Sequence, residues 1–208
     1  MRTRYRDRAA AGEALADQLT AYAGRSDVIV LGLVRGGVPV AAVVARRLGV
    51  PLDVLVVRKL GVPGAEEVAF GAVGPGGVTV LNEPIARELP PARVQAVREL
   101  AEAELERREQ RYRAGRPPLR LTGKTAIIVD DGLATGATAR AAVAVARQLD
   151  AASVVLAAPV AAPEAVRKLR KVADEVVCPL VPLDFGAVSR YYDRFTQVSD
   201  DEVSALLA

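Results

Sequence analysis

Histidine and tryptophan are absent from this 208-residue chain, and cysteine occurs once, at Cys178. Without imidazole there is no Ser-His or Cys-His nucleophilic pair, no histidine zinc ligand and no imidazole acid or base. A lone thiol forms neither an internal disulfide nor a thiolate cluster. Chemistry therefore falls to carboxylates, Arg and Lys, hydroxyls, backbone amides or a hard cation. Lysine is scarce too: only Lys59, Lys124, Lys168 and Lys171 accompany the arginines, and the formal net charge is just +3. So mild an excess gives no reason to expect nucleic acid as a partner. No apolar run nears the roughly 20 residues that span a bilayer, so no membrane is expected. The basic start, Met1 to Arg8, leads into an Ala/Glu/Asp helical pattern rather than a signal-peptide apolar stretch, and a cytoplasmic protein is expected.

What is present is a globular composition, 51% hydrophobic and 25% charged. A chain of this size buries about 70% of its open-chain surface, enough for one sizeable core. Apolar runs alternate with helical patterns, the sequence form of an α/β sheet. Strands are expected at 28–34, 52–57, 125–129, 153–158 and 175–178, and helices at 7–23, 39–48, 138–149 and 163–171. Residues 69–73 and 78–81 flank Gly74-Pro-Gly-Gly77 and read as a hairpin. From Pro91 to Arg113 Arg and Glu interleave at i,i+3 and i,i+4 spacing, which predicts a helix with a solvated or subunit-contacting face. The character shifts after Cys178: Phe185, Tyr191, Tyr192 and Phe195 cluster in a tail that also carries Asp184, Arg190, Asp193 and Arg194. Such a tail is either a cover over one end of the core or a set of flat faces for a planar ring.

The segment richest in chemistry is Ile127-Ile-Val-Asp130-Asp131-Gly132-Leu-Ala134-Thr135-Gly136-Ala137-Thr138. A buried strand ends in two adjacent carboxylates, and a small-residue loop then opens a helix. In a parallel sheet the carboxyl ends of the strands face the ligand crevice, so Asp130 and Asp131 arrive at its mouth. Paired carboxylates suit two sugar hydroxyls or a hydrated Mg²⁺, and the loop offers N–H groups and hydroxyls to a phosphate monoester. It is neither a Walker loop nor a dinucleotide turn. A second stretch, Gly32-Leu-Val-Arg35-Gly36-Gly37-Val-Pro39, lets backbone approach an anion closely and adds a guanidinium. A third, Val57-Arg58-Lys59, places two cations at the end of a strand.

These segments resemble the type I phosphoribosyltransferases, whose motif for 5-phosphoribosyl 1-diphosphate (PRPP) is an apolar strand, two acidic residues and a Thr-Gly-x-Thr loop. The Arg-Gly-Gly stretch is similar to the pyrophosphate loop of the xanthine-guanine enzymes, and Arg58-Lys59 to a pair in the adenine and orotate enzymes. The resemblance implies that Asp130 and Asp131 address the ribose hydroxyls and hold Mg²⁺, and that Ala134, Thr135, Gly136, Ala137 and Thr138 hold the 5′-phosphate. It implies that Arg35, Gly36, Gly37, Arg58 and Lys59 meet pyrophosphate, with Asp130, Asp131, Arg35 and Lys59 as the catalytic set. Phe185 or Tyr191 would stack on the base, and the Val34–Arg35 peptide bond would be cis.

The implied fold is a three-layer α/β/α sandwich with a mostly parallel sheet in the order 3-2-1-4-5-6, the third strand antiparallel. Residues 1–178 would form the core, including the charged helix inserted at about 90–114, and 179–208 a small hood. Expected partners are PRPP, a small-molecule base and a second copy in a homodimer. The rival expectation is a PRPP-sensing regulatory protein without transferase activity. Ala134 stands where the 6-oxopurine enzymes carry an aspartate, and the adenine and uracil enzymes share that alanine. Hypoxanthine and guanine are therefore expected to be poor acceptors unless Asp184 or Asp193 supplies the missing carboxylate.

Overall fold

A computed structural model describes residues 4–208 and, within them, all side chains except those of residues 66 and 67. Helix α1 spans Arg8–Ala16, and its first turn is closed by the Asp7 carboxylate, which accepts from the Ala10 N–H at 2.9 Å. Such a cap is worth about 0.5 to 2 kcal/mol. Strand β1 (Val28–Leu33) follows, then α2 (Gly37–Leu48), stopped by Gly49 in the left-handed region, and β2 (Leu52–Leu55). Strands β3 (Arg58–Val62), β4 (Ala65–Gly74) and β5 (Val78–Leu81) come next, then the short helix α3 (Glu83–Ala86) and the long charged helix α4 (Pro91–Arg113). The remainder is β6 (Thr125–Val129), α5 (Ala137–Gln148), β7 (Ser153–Ala157), α6 (Pro163–Leu169), β8 (Glu175–Val177) and α7 (Asp200–Leu207).

Five strands form a parallel sheet in the order β2-β1-β6-β7-β8. Both faces are covered, and the alternation of side chains sorts them cleanly between two apolar layers. Val28, Val30, Ile127, Val129 and Val155 pack with α1 and α2, whereas Leu31, Leu33, Ile128 and Leu156 pack with α5 and α6. Each such side chain, fully withdrawn from water, contributes about 1.5 to 3 kcal/mol. Helices α4 and α7 close the β2 edge, where Leu105, Tyr112, Val203 and Leu207 meet Val54 and Val56. Among the described residues no helix is long and apolar enough to cross a membrane.

The parallel part of the sheet has the expected order, but the antiparallel strand is not its edge. It is β4, the middle strand of a separate three-stranded sheet, β3-β4-β5. The reason lies in residues 58–62, which carry no strand pattern of their own. They pair antiparallel with β4 from Arg58 opposite Val73 to Val62 opposite Ala65, turning through Pro63 and a positive-φ Gly64. With β5 on its other side, from Gly71 opposite Leu81 to Gly74 opposite Val78, β4 has no free edge to offer the main sheet. Phe70, fully buried, sits with Leu60, Val73 and Ala101 of α4, and Ala72 packs on the α5 side. Arg58 and Lys59 consequently open β3 rather than end β2.

Candidate active site

The crevice is built where β1 and β6, neighbours in the sheet, release their chains at the carboxyl edge. Beyond β1 the Val34–Arg35 peptide bond is cis, and Gly36 and Gly37 lead into α2. A Cβ on Gly36 would overlap the Asp131 carboxylate, and one on Gly37 would overlap the Val129 carbonyl and stand 2.9 Å from the Asp130 Cα. The arginine-glycine turn is thus seated directly against the paired aspartates, a packing only glycine permits.

Both carboxylates lie half-buried beside one another. Burial, then the neighbouring Asp131 charge, raises the Asp130 carboxyl well above the usual carboxylate range. Burial raises Asp131 as well, opposed by the Arg8 guanidinium. The Asp131 N–H donates to Asp130 Oδ1 at 2.9 Å. Arg8 brings Nε to 2.9 Å and Nη2 to 2.8 Å from Asp131 Oδ2, while its Nη1 donates to the Thr196 carbonyl at 2.7 Å and its guanidinium lies 4.1 Å from the centre of the Phe195 ring. The Tyr192 hydroxyl donates to the Asp131 carbonyl at 2.6 Å, and its phenol is raised in turn by burial and by Asp131. The chain start and the tail are laced together here, since the Tyr5 N–H donates to the Tyr191 carbonyl and the Asp193 N–H to that of Tyr5.

After the aspartates, Gly136 in the left-handed region caps α5, and the Ala137 N–H donates to the Thr135 hydroxyl at 3.3 Å. A cleft of about 650 Å³ is lined by Val34, Arg58, Lys59, Thr138 and, from the charged helix, Val97 and Arg108. Lys59 also lines a second, larger cleft together with Thr135, Gly136 and Ala137. Arg35, more than a third exposed, stands 3.6 Å from Asp200 at the start of α7. Asp200 also accepts from the Tyr112 hydroxyl at 2.5 Å and lies 3.3 Å from Arg111, contacts that hold its carboxyl below the usual range, the Tyr112 bond first.

The three motif segments therefore converge. Phe185 and Tyr191 do not reach the two clefts: their rings stack on one another 5.6 Å apart, in the cluster that holds Tyr5 and Tyr192. The tail nonetheless covers the aspartate loop, because Val188 leaves no room for a Cβ on Gly132. Ala134 is exposed. Arg8, Arg108 and Asp200 are contributions that sequence reading misses. Arg8 meets a partner 123 positions away, and no local pattern signals such a contact. The alternating charges of α4 likewise hide which of its arginines faces a cleft.

Comparison with known proteins fits this geometry. The chain is 53% identical over 203 residues to "Putative phosphoribosyl transferase Rv0571c" of Mycobacterium tuberculosis, covering 97% of this chain and 46% of that protein. It therefore spans about half the length of that relative. The crystal structure of TT1426 from Thermus thermophilus superposes with a TM-score of 0.91 at 46% identity, covering 98% of this chain and 97% of that one. The AQ2163 protein from Aquifex aeolicus shares the fold at a TM-score of 0.51 and 16% identity, covering 84% of this chain and 74% of that one. Residues 3–196 match the phosphoribosyl transferase domain. With its paired aspartates, glycine turn and parallel sheet so disposed, the chain belongs to the phosphoribosyl transferase domain family.

Proposed function

We propose that the chain transfers the 5-phosphoribosyl group of PRPP to a ring nitrogen of a nucleobase-like acceptor, releasing pyrophosphate with the help of Mg²⁺. The observation that carries this reading is the seating of the arginine-glycine turn against the paired aspartates, together with a cleft that Val34, Arg58, Lys59 and Thr138 of the three motif segments line in common. Two half-buried carboxylates whose proton affinity is raised by desolvation and mutual repulsion are relieved by hydroxyl donors or by a cation. Ribose hydroxyls supply the first. The N–H groups and hydroxyls of residues 135–138 suit the 5′-phosphate at the start of α5.

Among the described residues no three His, Cys, Asp or Glu side chains cluster as metal ligands. Asp130 and Asp131 thus fit an ion that takes most of its oxygens from substrate and water, the habit of Mg²⁺. When bound there, Mg²⁺ supplies charge neutralisation to pyrophosphate and ribose. The protein's own part is positional and electrostatic. Asp130 and Asp131 orient the ribose. The C1–oxygen bond breaks with its electron pair leaving on pyrophosphate, and the acceptor nitrogen bonds to the electron-poor C1 as its ring proton passes to the released pyrophosphate or to water. Arg35, Lys59 and Arg58 stabilise the departing anion, each well-placed donor being worth about 3 to 4 kcal/mol. With alanine at position 134, adenine, uracil or another heterocycle suits the site better than hypoxanthine or guanine.

The test is a panel of nucleobases and amines with PRPP and Mg²⁺, read as pyrophosphate release. Turnover with at least one acceptor, lost in Asp131→Asn, is expected. PRPP binding without release across the panel would favour the regulatory alternative, and no PRPP binding at millimolar ligand would overturn both.

A further inference from the structure

The larger cleft, about 980 Å³, lies on the α6 side of the α5 start; Lys59 and residues 135–137 at one end of it serve the chemistry above, whereas Arg140, Lys168, Lys171 and the β4-β5 side have no part in it. Its two walls differ in character. One, formed by β4, β5 and α3, is apolar, with Val68, Val80, Leu81, Pro84 and Ile85. Val68 and Leu81 are among the few large apolar side chains left exposed in the described structure. The other wall carries Arg140 of α5, Lys168 of α6 and Lys171 just beyond it, and Lys59 closes the end shared with the smaller cleft. Three of the four lysines of the chain thus line one cavity, with Glu83 the sole carboxylate lining it among the described residues.

Most arginines of this protein are engaged in ion pairs, including Arg8, Arg98, Arg107, Arg108, Arg113 and Arg147. Lys59, Arg140, Lys168 and Lys171 have no ion-pair or hydrogen-bond partner for their side chains among the described residues. Four uncompensated cations around one concavity raise its potential and concentrate anions. The volume falls in the range of small-molecule sites, which combine apolar walls with a few convergent polar groups. A bare inorganic anion would use only the cationic wall. A ligand carrying several phosphates on a flat, largely apolar body uses both, with Asn82 and Glu83 at the rim to meet the polar edge of a ring.

We propose that this cleft is a second ligand site that binds a nucleoside polyphosphate, its phosphates on Arg140, Lys168 and Lys171 and its base against the β4-β5 wall. Because Lys59 faces both clefts, occupancy of one draws on a charge the other uses, so this site and the smaller cleft are linked, and reciprocally. Binding itself does not depend on the transferase reading.

Calorimetric titration of the whole chain with ATP, GTP and inorganic triphosphate, at near-physiological ionic strength, tests the assignment. One ATP or GTP is expected per chain, bound at least tenfold more tightly than triphosphate. The double variant Lys168→Ala/Lys171→Ala and the single variant Arg140→Ala should each weaken it at least tenfold, with unchanged melting temperature because these side chains hold no ion-pair or hydrogen-bond partner among the described residues. Asp131→Asn should leave nucleotide affinity within twofold. Retention of affinity in the lysine double variant, loss of it in Asp131→Asn, or triphosphate binding as tightly as the nucleotides would overturn the proposal. Absence of transferase activity with nucleotide binding intact would sink only the earlier reading.

Discussion

Arg8, the first residue of α1, places both Nε and Nη2 on a single carboxylate oxygen of Asp131, at 2.9 and 2.8 Å. Their side chains are 11% and 14% exposed, so the pair is poorly screened. Removing the cation with Arg8→Ala leaves an acidic pair without its counter-charge, at a cost of about 1 to 3 kcal/mol. Asp131 would then bind its proton still more tightly, so ionising it costs more. The loss measured by urea unfolding should accordingly be larger at about pH 8 than at about pH 5.

Asp130 has the opposite relation to stability. Its folded-state proton affinity lies above that of the unfolded chain, so stability falls as pH rises from the ordinary aspartate value of 3.8 through the raised one. Asp130→Asn keeps the shape and removes the charge. It is expected to raise the melting temperature at neutral pH, flatten that fall, and abolish phosphoribosyl transfer, the exchange of stability for function common at active sites. Calorimetric melting across a pH series checks the first two outcomes, and the pyrophosphate-release assay the third.

Arg35 is held only loosely, 3.6 Å from Asp200 and more than a third exposed, an arrangement worth little to folding. Arg35→Ala should leave the melting temperature within a degree or two while lowering kcat about 10²- to 10³-fold, the loss typical of one anion-stabilising donor. A parallel fall in stability would place the side chain in the structure rather than in the chemistry.

Gly36 and Gly37 should separate by what their missing Cβ would strike. Gly36→Ala meets the end of the Asp131 side chain, which can rotate away at the expense of the site, whereas Gly37→Ala meets the Val129 carbonyl and the Asp130 backbone. The first is expected to lose PRPP affinity at least tenfold while folding nearly normally. The second should lose stability as well, by about 1 to 3 kcal/mol as in other overpacked cores. Titration with PRPP alongside urea unfolding distinguishes them.

The charged helix is anchored by a buried pair: Arg113 Nε and Nη2 lie 3.1 and 2.9 Å from the two Asp53 oxygens, and the Val54 N–H donates to Asp53 at 2.8 Å. Asp53→Asn leaves the buried guanidinium with only the more distant Glu109 carboxylate, 3.9 Å away, and should cost about 3 kcal/mol, read by urea unfolding. Activity per folded molecule should persist at low temperature.

Much of this architecture is legible in the sequence because burial on both faces makes the parallel strands continuous apolar runs. The helix at Pro91–Arg113 and the strand at Thr125–Val129 stand where the residue pattern places them. The hairpin of β4 and β5 is legible through its glycine-rich turn. Strand β3 is not, because Arg58-Lys59-Leu-Gly-Val62 has neither an apolar run nor a clean alternation, and only pairing with β4 makes it a strand. The aromatics of the tail are visible as a group, but nothing local distinguishes rings that would face a base from Phe185 and Tyr191, which stack on each other.

Residue type and order suffice to set the range of possible chemistry: no imidazole, a paired carboxylate at the end of a buried strand, a phosphate-suited loop and an arginine-glycine turn. These are properties of neighbours along the chain, where identity and spacing carry the physics. Which charges are opposed and which are left free is settled only by folding. Arg8 neutralises Asp131, Asp200 faces Arg35, and Lys59, Arg140, Lys168 and Lys171 gather around one cleft without an ion-pair partner among the described residues. Charge interactions depend on distance and burial in space, and the sheet brings together at its carboxyl edge residues that the chain keeps far apart.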